Sequence, residues 1–276
     1  MSWHAQLQLD HRVEQSRTVA RYRHDGPLRI LQSLYPEGDA ICHNVLVHPP
    51  GGLVGGDTLA ISLTVGEQAH ALVTTPGASR FYRSEGETAL QDTRITLARG
   101  ARLEWLPLEA ICYSGCIAHN RLSLTLAPGA EAMAWDIAAL GLPEAGQPFE
   151  RGELRQHLAL PGVWLERGCI DAADARLMNG ALGLAGHRCL ATLLFASGED
   201  MPRARIDRAL DAARECIESH PLRLSAGATS PHPKLVVVRT LAPVVEPAMQ
   251  LLRQIRAAWR EQLWQLPPVA PRIWSM

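Results

Sequence analysis

With 276 residues, 47% of them hydrophobic, and a formal net charge of −1, the chain can bury a sizeable core and has no charge excess that would attract it to a polyanion. It carries no basic stripe with interleaved aromatics, and its apolar runs stop short of the roughly 18 uninterrupted residues of a membrane helix, so neither nucleic acid nor a membrane is an expected partner. The opening MSWHAQLQLDHRVEQSR lacks the apolar region of a signal peptide, and six scattered cysteines suit buried thiols in a reducing compartment; a cytoplasmic location is the expectation.

Short alternating strands recur from residue 5 to about 200: Leu7 and Leu9, Leu28 and Ile30, Ile41 to Val47, Leu59 to Val65, Ile95 and Leu97, Leu122 to Leu126. Gly51, Gly52, Gly55 and Gly56 bracket Leu53 and Val54 and deliver Asp57 to the start of a strand. No Gly-Lys-Ser/Thr follows and no GxGxxG opens a helix, so the loop reads as a turn between strands, not a phosphate cradle. Val73 to Ser84 then reads as a strand, a Pro76-Gly77 turn and a further strand carrying Arg80, Phe81, Tyr82 and Arg83.

One recurrence is more than generic. LTVG-EQAHAL, LARG-ARLEWL, LAPG-AEAMAW and LPG-VWLERG each join a strand to a second strand through Gly66, Gly100, Gly129 and Gly162, at spacings of 34, 29 and 33. A period near 30 with one supersecondary unit per repeat predicts stacked layers rather than a closed barrel. From Trp135 to Gly152 glycine and proline interrupt every periodic pattern, which predicts a functional loop between the third and fourth layers. Trp164 to Asp171 reads as a strand with Glu166 and Arg167 on opposite faces, one of them needing a salt bridge to a neighbouring layer.

Helices come late. Ile206, Leu210, Ala213 and Ile217 form one stripe, with a start near Asp200 and a stop at Pro221; Ala248, Leu251, Leu252, Ile255, Trp259 and Leu263 form another after Pro247. A strand from Lys234 to Thr240 separates them. The tail from Pro267 to Met276 has three prolines and ends near Ile273 and Trp274, an apolar end that calls for docking. The fold class is therefore mainly β, a layered, solenoid-like stack of short strands with two α-helices in the C-terminal region.

Four separated segments, GGLVGGD, TTPGASRFYRS, LEWLPLEAICYSG and the terminal PRIWSM, resemble in their order the urease accessory proteins of the UreD (UreH) family. The resemblance runs from about residue 5 to the C-terminus. It implies a single UreD-type domain over residues 1–276, with β layers to about 200, helices at about 201–219 and 245–266, and a docking tail at 267–276. It also implies a maturation chaperone, not an enzyme, that binds urease apoprotein subunits and a UreF-type protein and, through the latter, a UreG-type GTPase. Nickel would pass transiently to the urease site, with no cofactor tightly bound.

A conduit needs imidazole, carboxylate or thiolate groups along a path, each holding nickel weakly. Asp57 is placed first among the candidates; Glu166, Asp171 and Cys112 follow, with Arg80 and Tyr82 as path or partner contacts and Arg272, Ile273 and Trp274 as partner-docking residues. Glu104, Glu109 and Asp136 are further carboxylates without an assigned role. Cys112-x3-Cys116-x2-His119 matches no zinc-finger spacing and is expected to be packing. The remaining readings are a β-rich metal-binding module, a carbohydrate-binding module or an unrecognised hydrolase. Aromatics at only 5% give no sugar-stacking ladder, and no HExxH or GxSxG motif supports a hydrolase.

Overall fold

The computed structural model describes residues 2–275; Met1 and Met276, ends of the expected domain and tail, lie outside them. A long hairpin of β1 (His4–Glu14) and β2 (Arg17–Asp25) precedes β3 (Arg29–Ile30) and β4 (Ile41–Val47). Then come β5 (Thr58–Val65), β6 (His70–Thr74) and β7 (Ser79–Phe81), the first coil; β8 (Ala89–Leu97), β9 (Arg102–Leu106) and β10 (Ala110–Cys112) form the second. The third is β11 (Cys116–Leu126) and β12 (Glu131–Leu142), closed by the short β13 (Gln147–Pro148). β14 (Gly152–Leu160), β15 (Trp164–Asp171), a short α1 (Ala175–Asn179), β16 (Cys189–Ser197), α2 (Arg203–Glu218), β17 (Ala226–His232), β18 (Leu235–Ala242) and α3 (Val245–Trp264) complete the chain.

Successive coils stack in register. β5, β8, β11 and β14 pair in parallel within a seven-stranded sheet of order β15-β14-β11-β8-β5-β1-β2. β4, β6, β9 and β12 do the same in the facing sheet, which continues antiparallel through β16, β18 and β17. This is the solenoid-like stack that the repeat predicts. Gly100 and Gly129, with φ of 67° and 75°, make the corners from one sheet to the other, where a side chain would be strained.

The fourth glycine turn departs from the expectation. Gly162 joins β14 to β15 as an antiparallel hairpin within one sheet, so the last repeat ends the seven-stranded sheet instead of crossing over. The expected loop after Trp135 is also corrected: residues up to Leu142 form β12, whose Ala138, Ala139 and Gly141 show no alternation because both faces of that strand are covered. The irregular stretch is confined to residues 143–151, a short turn over Pro143–Ala145 and three residues after β13.

Two apolar cores share the second sheet. Its inner residues, among them Ala71, Val73, Leu103, Trp105 and Ala134, meet the seven-stranded sheet across the solenoid interior. Its outer residues, among them Leu72, Leu106, Met133, Trp135 and Phe195, are covered by α2 and α3. Both predicted helical stripes are buried, but α2 begins at Arg203 behind Pro202 with no side-chain cap, so Asp200 does not start it.

Candidate functional site

The inner face of the seven-stranded sheet consists of rows that run across the strands. Leu9, Leu63, Ile95 and Leu124 make one apolar row; Leu7, Ile61, Thr93, Leu122 and Leu158 make a second. The third begins apolar with Ala5 and Leu59 and then turns polar, through Gln91, Asn120 and Gln156. In-register stacking converts three amides, one per coil, into a continuous polar line inside an otherwise apolar interior.

Asp136, on the inner face of β12, faces that line from the opposite sheet. Asn120 Nδ2 donates to its Oδ1 at 2.6 Å and Gln156 Nε2 to its Oδ2 at 2.5 Å. Gln91 Nε2 donates to Asn120 Oδ1 at 3.3 Å, extending the network by one coil. The two donated bonds favour the carboxylate, but desolvation outweighs them and pushes Asp136 up to about 6. That places its protonation change near neutral pH, inside an interior where the carboxylate's ligands are two side-chain amides.

The line has two ends. At one, Gln91 borders a cavity of about 160 Å³ lined also by His48, Gly51, Arg80 and Trp105. At the other the row ends on Gly168 of β15, and the next inward residue, Glu166, opposite Leu158, is paired with Arg239 of β18, so this ion pair bridges the two sheets; the Glu166 charge adds to the upward push on Asp136. Cys112 also lies close enough to feel Asp136. Its hydrogen bond to Cys116, followed by burial, pushes its thiol well up, while the same bond pulls Cys116 down. Among the described residues no three His, Cys, Asp or Glu side chains converge as a metal centre.

A second polar cluster lies on the outer face of the second sheet, under α3. Glu104 accepts from Arg256 Nε at 2.5 Å and from Arg260, which also pairs with Glu37; Glu37 in turn meets His43 Nε2 at 2.9 Å. All these side chains are buried. Burial, then the charges of Arg102, Arg260, His43 and Arg256, keeps nearby His70 neutral, well below the ordinary histidine range. The same two arginines hold the tail: Arg260 Nε donates to the Pro267 carbonyl and Arg256 Nη1 to that of Val269, both at 2.9 Å.

The family profile described as UreD urease accessory protein matches residues 3–275. The chain belongs to the UreD family. A protein named Urease accessory protein UreD from Paracidovorax citrulli (strain AAC00-1) is 69% identical over 276 residues, covering 100% of both chains. Another of that name from Variovorax paradoxus (strain S110) is 69% identical over 275 residues, and one from Methylibium petroleiphilum 49% over 294 residues with 99% coverage of each.

Within this UreD-family chain the expected site residues fall in different places. Asp57 is buried, and both its oxygens accept backbone N–H groups, Oδ1 from Trp3 at 2.7 Å and Oδ2 from Val54 at 2.9 Å. It ties the segment that opens the first strand to the glycine loop. Arg80 borders the cavity at the line's first end and reaches the Gly51 carbonyl at 3.4 Å. Tyr82 is at the surface, its ring tilted 31° against that of Tyr113 at 5.2 Å between centroids; its ring fills the space a Cβ on Gly52 would need, 2.3 Å away. Glu166 stands at the second end. Asp171 is exposed and accepts from Ala173 N at 2.9 Å, a local turn.

The tail residues divide. The Trp274 indole stacks on Trp135 at 5.3 Å between centroids, donates to Thr74 Oγ1 at 3.0 Å and lies under Arg253. It is packed on the chain's own outer core. Ile273 and Arg272 border an apolar groove formed with Leu31, Leu34 and Leu72. Sequence reasoning passed over Asp136, Asn120, Gln156 and Gln91 as site residues. The signal was present: each amide occupies an inward position of a strand whose other inward positions, Thr93 on β8 apart, are apolar or small.

Proposed function

We propose that the chain is a non-catalytic, cytoplasmic scaffold for urease maturation that holds apo-urease and, with UreF- and UreG-type partners, supports GTP-dependent passage of nickel to the urease site. The observation that carries this reading is membership of the urease accessory family along essentially the whole chain, residues 3–275. The interior supports it, since a cargo ion needs ligands that bind without trapping. Asp136 with two amides and a nearby thiol offers oxygen and sulfur donors in a set too sparse to hold nickel tightly. Arg80 and His48 at one end and Glu166 at the other would guard entry and exit. Arg272 and Ile273, beside the apolar groove, would meet the UreF-type partner.

The test is urease maturation in cells whose own copy is replaced by Asp136→Ala or Glu166→Ala. The expected result is urease that still recovers the chain in pull-downs but carries less nickel and is less active. Full nickel loading with both variants would refute the interior route. Failure of the wild-type chain to co-purify with urease subunits would refute the scaffold reading itself.

A further inference from the structure

The outer face of the seven-stranded sheet carries a charged patch that the interior route does not use. Register places Asp92, Arg121, His157 and Arg167 in one row across four strands, and Leu90, His119, Arg155 and Cys169 in the adjacent row. Arg94 stands one position further along β8, opposite Ser123. Neighbouring strands are about 4.8 Å apart and same-face residues of one strand about 6.7 Å apart, so four exposed arginines rise from an area about 15 Å across. All of these residues but Leu90 border an open depression of about 780 Å³.

Three carboxylates lie on this face: Asp92 is taken by Arg94 at 2.8 Å and Glu153 by Arg155 at 3.0 Å, while Asp171, at the edge opposite Glu153, accepts from its own turn at Ala173 N. Arg121 Nε donates to His119 Nε2, at 3.0 Å. Neither Arg121 nor Arg167 has a carboxylate partner among the described residues. The positive field also acts on His119, which burial and then Arg121, Arg155 and His157 hold below the ordinary histidine value.

We propose that this face docks an acidic segment of a partner protein, with Arg121 and Arg167 as its two guanidinium anchors. A guanidinium grips a carboxylate bidentately, and an extended acidic segment repeats its same-side carboxylates at about the 6.7 Å interval of the strands beneath it. The open, shallow shape suits an extended chain better than a small enclosed anion. A nucleic acid fits less well, because the patch has no Phe, Tyr or Trp on which a base could stack. The inference stands apart from the nickel route, which runs along the other face of the same strands.

Fluorescence anisotropy with the full-length chain and a labelled peptide of alternating Glu and Ser tests it. Binding is expected at low salt, weakening as ionic strength rises. Arg121→Glu with Arg167→Glu is expected to weaken it about tenfold or more; Arg121→Gln with Arg167→Gln should give a smaller loss in a chain with the same circular dichroism. Arg208→Glu with Arg223→Glu, which makes the same change of net charge on exposed positions of α2 and the turn after it, should leave binding nearly unchanged. Equal losses in both pairs, no peptide binding, or displacement by a single-stranded oligonucleotide or by inorganic phosphate at lower concentration than by peptide would each overturn the proposal.

Discussion

Asp136→Asn separates what the interior carboxylate costs the fold from what it does. Burial moves this group from 3.8 to about 6, a difference equivalent to about 3 kcal/mol at about 1.4 kcal/mol per pH unit; residual solvent access of the half-buried side chain brings this to about 2 kcal/mol. Its folded pKa lies above its unfolded one, so between these two values the native state holds more protons. Its favourable contribution is therefore complete below about pH 4 and is lost as pH rises through 6. Asparagine is neutral throughout and escapes that loss, but its amide meets the donors of Asn120 and Gln156, so one must turn over at a cost of about 1 kcal/mol.

Urea denaturation at acid and alkaline pH reads the difference. At pH 8 the asparagine variant is expected to match or exceed the parent by about 1 kcal/mol, and at pH 3.5, below both values, to fall below it by about 1 kcal/mol. Urease maturation by the variant should fall despite the unimpaired fold at pH 8. Stability curves that run parallel for parent and variant would refute the reasoning, because they would mean that Asp136 is ionised at all these pH values and acts only as an anchor for its two amides.

Glu104→Ala leaves the buried guanidinium of Arg256 without a carboxylate and that of Arg260 with Glu37 alone and should destabilise by about 3–5 kcal/mol, read by thermal or urea unfolding; a loss under about 1 kcal/mol would mean that Arg256 reaches Glu37 or water instead. Asp57→Ala removes two acceptors of backbone N–H groups and should cost about 1–3 kcal/mol, with urease maturation assayed at a temperature where the variant is fully folded to show whether the carboxylate has a second role. Deleting residues 268–276 removes the Trp274 stack and the Val269 acceptor for Arg256, so the melting temperature should fall by several degrees, along with UreF-type partner binding; an unchanged melting temperature would show that the tail's contacts add nothing to the fold. Cys112→Ser with Cys116→Ser should leave the metal content of the purified chain unchanged by elemental analysis, and the loss of one equivalent of metal would show a site.

The coils were legible because each repeats the same code. An alternating strand followed by a glycine that permits a corner is visible in one chain, and Gly100 and Gly129 sit where that code puts them. The hairpin at Gly162 follows the same code, because a glycine permits a turn without specifying whether the next strand crosses over or folds back. β12 was hidden for the opposite reason. Its inner Ala134 and Ala138 and outer Met133, Trp135 and Ile137 face two different cores, and a strand apolar on both faces has no period to read.

The polar line was hidden by the same register that makes it. On their own strands Gln91, Asn120 and Gln156 are single exceptions to alternation, separated by 29 and 36 residues, and a single inward amide reads as a strand end or a satisfied core residue. Only pairing makes them neighbours, and only the facing sheet supplies the carboxylate that orients their amides. Glu104, Arg256 and Arg260 obey the same logic across still longer separations: on α3 the two arginines stand four residues apart, where a sequence reading places a solvated face, and the strand that neutralises them lies about half the chain away. In a solenoid, therefore, apolar repeats disclose the scaffold, while the departures from them acquire meaning once the register brings them into one row.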